Sequence, residues 1–189
     1  MKKFTLLKSL KVLFSRLFSG RIHFLKDYAG EILLMEDGKT FQVIRNLKVD
    51  PTQKSDKTPA VFKVRFKFSG LPLAVNKRLS MIPAPFLMAK PGFRQKIWTV
   101  TEDGYFQGIY QWASKDFAET YPQSFIFKVM TKRSAPGTLS YQVIPNTILA
   151  HYIEKLIGRK SNENTITETG LFFTYGDNKS GCSGNFTRH

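Results

Sequence analysis

A chain of 189 residues with 42% hydrophobic content can bury one core, so one domain with extensions is expected. Its formal net charge of +15 favours an anionic partner: nucleic acid, anionic lipid or an acidic ligand. The single cysteine, Cys182, excludes an internal disulfide and fits a reducing, cytoplasmic compartment.

Residues 1–26 contain basic residues and no acidic one. Over Lys3–Phe18 the apolar side chains Leu6, Leu7, Leu10, Leu13, Phe14, Leu17 and Phe18 share one helical arc, and Gly20 is a suitable stop. Cations interrupt every stretch that approaches the roughly 20 apolar residues of a membrane span, and Lys8 and Lys11 break the apolar region of a secretory signal. A basic amphipathic helix on an anionic membrane surface is the first expectation. Its contacts would be Lys2, Lys3, Leu6, Lys8, Leu10, Lys11, Leu13, Phe14, Arg16 and Leu17. The inner face of a membrane would then be its location. A helix docked on a partner and an organellar targeting peptide are the alternatives.

Residues 27–60 are expected to form a hairpin and a linker. Apolar runs at Glu31–Met35 and Thr40–Arg45 flank Glu36-Asp37-Gly38-Lys39, and Asp-Gly between such runs is a strong hairpin signal. Asp50–Pro59 is polar and bounded by proline, as loops are.

Residues 61–158 form the expected domain, with strand, helix, hairpin, helix, strand and a C-terminal helix. Val61–Phe68 alternates apolar and cationic residues. A first crossover, Leu71–Pro91, is helical but interrupted by Pro83 and Pro85. Lys96–Thr101 and Tyr105–Trp112 flank Asp103-Gly104, which predicts a hairpin with a two-residue turn. The second crossover starts at the N-cap candidate Ser114 and is split by Pro122. Thr138–Ile144 supplies the last strand. This βαββαβ order predicts an α+β, ferredoxin-like module with strand order 4-1-3-2 and a central first strand. A helix from Asn146 to Ile157 should follow, and residues 159–189 lose periodicity and fit a disordered tail.

No motif fixes a reaction. His23, His151 and His189 show no metal-ligand spacing, Cys182 lacks a fixed cationic neighbourhood, and neither a P-loop nor a dinucleotide fingerprint occurs. The strand faces carry more information. With Phe62, Val64 and Phe66 toward the helices, Lys63, Arg65 and Lys67 project from the opposite face. A two-residue turn would place Lys96, Trp98 and Val100 on one face with Tyr105, Gln107, Ile109 and Gln111; a loop one residue different would reverse this.

The run Pro91-Gly92-Phe93-Arg94-Gln95-Lys96-Ile97-Trp98-Thr99-Val100, then Gly104–Trp112, Ser134-Ala135-Pro136-Gly137 and a final strand resembles the dimeric α+β barrel superfamily. It is most similar to the antibiotic-biosynthesis monooxygenase-like members, over about Phe62–Pro145. The resemblance implies a homodimer whose paired sheets enclose a cleft, with Trp98 lining it. Some members oxidise aromatic substrates without metal or flavin, others degrade haem, and many have no established activity. Haem degradation by the family's Asn, Trp and helical His does not fit, because the second crossover helix has no histidine and the first strand no asparagine.

The expected function is binding of a small anionic or aromatic ligand, with cofactor-independent monooxygenase-like activity at a membrane surface as its enzymatic form. No cofactor is expected. Arg65 and Lys67 would hold the anion, Gln107 and Gln111 its neutral polar groups, and Trp98 would form an aromatic wall. A structural ion pair is the plain alternative for Arg65. A non-catalytic ligand-binding or scaffold protein is the competing class. An RNA-binding module is disfavoured, since its cation-led aromatic signature is replaced by Asp103-Gly104-Tyr105-Phe106-Gln107-Gly108-Ile109-Tyr110.

Overall fold

A computed structural model describes residues 15, 19–51 and 57–159. Ten N-terminal residues expected at a membrane, Lys2 through Leu17, and the expected tail beyond Arg159 lie outside the described residues. In chain order the elements are β1 (Ile22–Leu25), β2 (Ile32–Leu34), β3 (Thr40–Val49) and β4 (Ala60–Lys67), then helices α1 (Leu73–Leu79) and α2 (Ala84–Met88). They continue with β5 (Phe93–Val100), β6 (Tyr105–Trp112), α3 (Lys115–Thr120), a 3-10 turn (Tyr121–Gln123), α4 (Phe125–Arg133), β7 (Ser140–Ile144) and a helix α5 over 149–159. Among the described residues no helix is long and apolar enough to cross a membrane.

All pairings are antiparallel, in the order β1-β3-β5-β6-β4-β7, with β2 also on β3. The β5-β6-β4-β7 part is the 4-1-3-2 sheet of a ferredoxin-like α+β module, and β4 is central as that order predicts. Pro122 does divide the second crossover: its ring cannot continue α3, and the chain passes through the 3-10 turn before Ser124 caps α4 by accepting the Phe127 amide.

Three local expectations are corrected. Ile22–Leu25, beyond the helix stop expected at Gly20 and given no element by the sequence, is a strand paired with Asn46–Val49. The N-terminal hairpin is not separate from the domain, because β3 extends the sheet along β5. The β5–β6 loop has three residues rather than two. Thr101 N–H donates to Tyr105 O, Gly104 N–H donates to Thr101 O, and Gly104 sits at φ +88. This is a tight turn closed by a left-handed residue, where glycine avoids the Cβ penalty.

Both sheet faces are covered by the same chain. The first core lies under α1–α4 and holds Phe62, Val64, Phe66, Phe106, Trp112 and Leu87. The second packs Val61, Ile97 and Ile109 against Leu33 and Phe41 of the hairpin and Leu149, Ile153 and Leu156 of α5. Although β5 and β6 separate β3 from β4, Asp37 in the β2–β3 turn reaches Arg65 on β4. The sheet therefore curls until its N-terminal hairpin closes over its own middle strands.

Candidate functional site

The two faces use their cations differently. On the hairpin side, Nε and Nη2 of Arg65 each donate to Gln107 Oε1 at 3.2 Å. Nη2 also donates to Asp37 Oδ1 at 3.3 Å, and Nη1 donates to the other carboxylate oxygen. Its guanidinium carbon stands 4.7 Å from the Phe41 ring centroid. Lys63 Nζ donates to Glu36 Oε2 at 2.9 Å and to the Tyr152 hydroxyl at 3.2 Å, while that hydroxyl donates to Glu36 Oε1 at 2.9 Å. Only 15% of either cationic side chain is exposed. Lys67 lies over Tyr105, 5.5 Å from its centroid.

The carboxylates complete these pairs. The hydrogen bond from Arg65 holds the Asp37 carboxyl below the usual aspartate range. Burial would raise the Glu36 carboxyl, but hydrogen bonds from Lys63, its own backbone and Tyr152 together keep it low. Gln111 is also fully engaged. Its Nε2 donates to the carbonyls of Ala60, Trp112 and Thr147, and its Oε1 accepts the Leu149 amide at the start of α5. The helix thus starts at residue 149 rather than at the expected Asn146, which takes φ +52 in the preceding turn. Arg65 and Gln107 are thus brought together and Lys67 and Gln111 share their face, but the partners observed for Lys63 and Arg65 are acids of this chain, without a second subunit.

Trp98 is not with them. The three-residue loop pairs Trp98 with Gly108 and Thr99 with Gln107, so the side chains of β5 from Gln95 to Val100 are exchanged relative to the two-residue register. Lys96, Trp98 and Val100 face the helices together with Phe106, Tyr110 and Trp112. Trp98 Nε1–H donates to Ser80 O at 3.3 Å, and Arg45 Nη1 donates to Lys77 O at 2.8 Å, fixing the end of α1 over β5.

A cavity of about 50 Å³ lies there, between the sheet and the helices. Trp98, Tyr110, Tyr121, Phe106, Met130 and Lys96 are among the side chains lining it, and none of its lining residues is acidic. Lys96 is the site's unusual feature. It is 8% exposed, its Nζ lies 4.2 Å from the Trp98 ring centroid and 4.7 Å from that of Tyr110, and among the described residues it has neither a carboxylate nor a hydrogen-bond acceptor. Cation–π attraction offsets part of its desolvation, by about 2 kcal/mol. Burial nevertheless pushes its ammonium pKa down from 10.5 to about 7. A second cation, Arg133, stands at the cavity edge over Phe68, 4.6 Å from its centroid.

Gly108 makes the room. A Cβ there would sit 2.6 Å from the Tyr110 ring, so the ring folds across the strand only because glycine has none. Burial pushes the Tyr121 hydroxyl up to about 12 and raises that of Tyr110 well above its ordinary value, so both stay protonated at neutral pH. The cavity therefore presents a titratable amine, neutral hydroxyls and flat aromatic walls. Sequence reasoning missed Lys96, Gly108, Tyr110 and Tyr121 as site residues; the glycine closing Glu102-Asp103-Gly104 was the available signal for a three-residue loop and hence for this face.

No protein-family profile and no curated protein matches the chain. Among solved structures it is similar to an uncharacterised ferredoxin-fold protein related to antibiotic biosynthesis monooxygenases from Listeria monocytogenes, at 15% identity and a TM-score of 0.43, over 74% of this chain and 88% of that one. It is equally similar to a monooxygenase-like protein from Listeria innocua, at 14% identity and a TM-score of 0.43, again over 74% and 88%.

Proposed function

We propose that this protein binds a small organic anion, a carboxylate or an acidic phenol, in the cavity between sheet and helices. The observation that carries the proposal is Lys96, a buried amine lined up on a cavity with aromatic partners and no acid. An unpaired buried charge costs stability, and a ligand oxygen would supply the missing partner. Trp98 and Tyr110 offer flat walls to a planar ligand, while Arg133 adds positive charge near the edge. The cavity as it stands suits a ligand of a few heavy atoms; a benzene ring occupies a cavity of about 150 Å³. A ring would require the unbranched, adaptable Met130 to move aside.

Calorimetric titration with benzoate and substituted phenols tests this binding. Affinity for benzoate should be highest below pH 7, where Lys96 carries its proton, and fall as pH rises through that value. Lys96→Met should weaken binding about tenfold or more, the worth of a charge-assisted hydrogen bond. No binding by the intact protein, or equal affinity in the variant, would reject the site.

The monooxygenase-like resemblance adds an enzymatic form of the same proposal. A neutral Lys96 amine is placed to take the proton of a phenol, leaving a more electron-rich phenolate. With dioxygen as the second substrate, a phenol would give a quinone and water, with no external reductant. Oxygen consumption with phenols separates this from a non-catalytic ligand-binding protein. A homodimer is proposed on the same resemblance, and light scattering across micromolar to near-millimolar protein tests it. Attachment of the basic N-terminal residues to anionic membrane is proposed from their sequence pattern alone. Flotation with phosphatidylserine vesicles, lost on deletion of residues 1–19, is its test.

A further inference from the structure

We propose that Lys96 is a nucleophile as well as a counter-ion, and that it condenses with a small aldehyde or ketone held in the cavity to form an imine. The inference rests on the proposed ligand site and gives that site a second substrate class, the carbonyl compound.

Geometry carries it. Lys96 reaches the cavity from the middle of a fully paired strand, so its backbone is fixed between β3 and β6. Its Nζ sits against the faces of Trp98 and Tyr110, with no carboxylate to hold it as an ammonium. A carbonyl compound entering beside Trp98 meets the nitrogen lone pair with no acidic side chain in the lining. A cavity of about 50 Å³ admits only a small carbonyl compound, and propionaldehyde would enter as the adaptable Met130 shifts. Most surface lysines are protonated at pH 7, whereas an amine titrating at about 7 is half unprotonated, which favours this lysine as the reacting one.

The step balances without an oxidant. The Nζ lone pair attacks the carbonyl carbon, the C=O π pair moves to oxygen, and a carbinolamine forms once a proton passes from nitrogen to that oxygen. Loss of the hydroxyl with the second amine proton then releases water and leaves a C=N bond. Tyr110 and Tyr121 keep their hydroxyl protons at neutral pH, so a neutral acid is present to assist departure of the hydroxyl.

The test treats the full-length protein with propionaldehyde and sodium cyanoborohydride at pH 7, followed by peptide mapping. Reduction traps the imine as a secondary amine that carries one propyl group. The expected result is labelling of Lys96 at least about tenfold faster than any other lysine, given its larger unprotonated fraction. Benzoate should suppress it, and Lys96→Arg should remove that fast label while surface labelling continues. Labelling confined to other lysines while benzoate still binds would overturn the imine and leave the binding site standing. Loss of both Lys96 labelling and benzoate binding would reject both proposals. Because the mapping is done on the unmodified sequence, the outcome does not depend on a variant folding.

Discussion

The two faces of one sheet hold buried or half-buried cations in opposite states. Beneath the hairpin, Lys63 and Arg65 have carboxylates, neutral hydrogen-bond partners and aromatic contacts within the same chain. Beneath the helices, Lys96 has aromatic rings alone. A cation that serves the fold finds its counter-charge in the fold. One that lacks it costs stability, and that cost makes its cavity the better place to look for a ligand.

The largest effect that can break this contrast is expected at Lys96. Replacement by Met keeps the stem and removes the buried amine, and should stabilise the protein by on the order of a few kcal/mol at pH 7. The sign follows from the protons bound. With a folded pKa near 7 and an ordinary value of 10.5, the unfolded chain binds more protons between those limits. This residue's contribution to stability therefore rises with pH across that window and is flat below it. Urea unfolding from pH 6 to 10 should show the rise in the original sequence and a flatter profile in Lys96→Met. A variant less stable than its parent at pH 7 would contradict the unpaired state of Lys96.

Arg65→Ala should do the reverse and destabilise by about 2 kcal/mol. It strips Gln107 Oε1 of two donors, leaves Asp37 unpaired and removes the cation over Phe41. Chemical denaturation measures this, and a change within about 0.5 kcal/mol would show that the hairpin is held without Arg65.

Gly108→Ala sharpens the account of the cavity. The new methyl group collides with the Tyr110 ring, so an overpacking cost of roughly 1–3 kcal/mol is expected together with loss of benzoate binding. Unchanged binding would mean that Tyr110 does not shape the site. The smallest effect belongs to Asp37→Asn, because Asp37 is half-exposed. The Asp37 carboxyl is held low by Arg65, so its stabilisation is present above the unfolded aspartate pKa and fades as pH falls through the folded one. The variant should lose a small part of the parent's stability at pH 7 and differ less from it in acid, as thermal melts at both pH values would show.

Much of this architecture was legible because periodicity is local. Phe62, Val64 and Phe66 alternate with Lys63, Arg65 and Lys67, which fixes both faces of β4 without knowledge of its partners. Pro122 announces the break between α3 and α4 for an equally local reason. The site was harder to see. Asp103-Gly104 signals a hairpin, but the count of residues in its loop depends on how Thr101 and Tyr105 pair. One extra loop residue moved Trp98 away from Gln107 and carried Lys96 from an expected mixed face into a core. The four-residue strand Ile22–Leu25 is too short to declare a period and depends on its pairing with β3. The acids that neutralise Lys63 and Arg65 come from a turn 27–28 residues earlier, a distance set by sheet curl and invisible to patterning.

The most direct test of the central claim is a side-by-side calorimetric titration of benzoate into the original protein, Lys96→Met and Arg65→Ala at pH 6.5, with folding verified by circular dichroism. The account predicts binding that weakens about tenfold or more in Lys96→Met and changes less than about twofold in Arg65→Ala. Loss of affinity in Arg65→Ala with full affinity in Lys96→Met would put the ligand on the hairpin side of the sheet and contradict it.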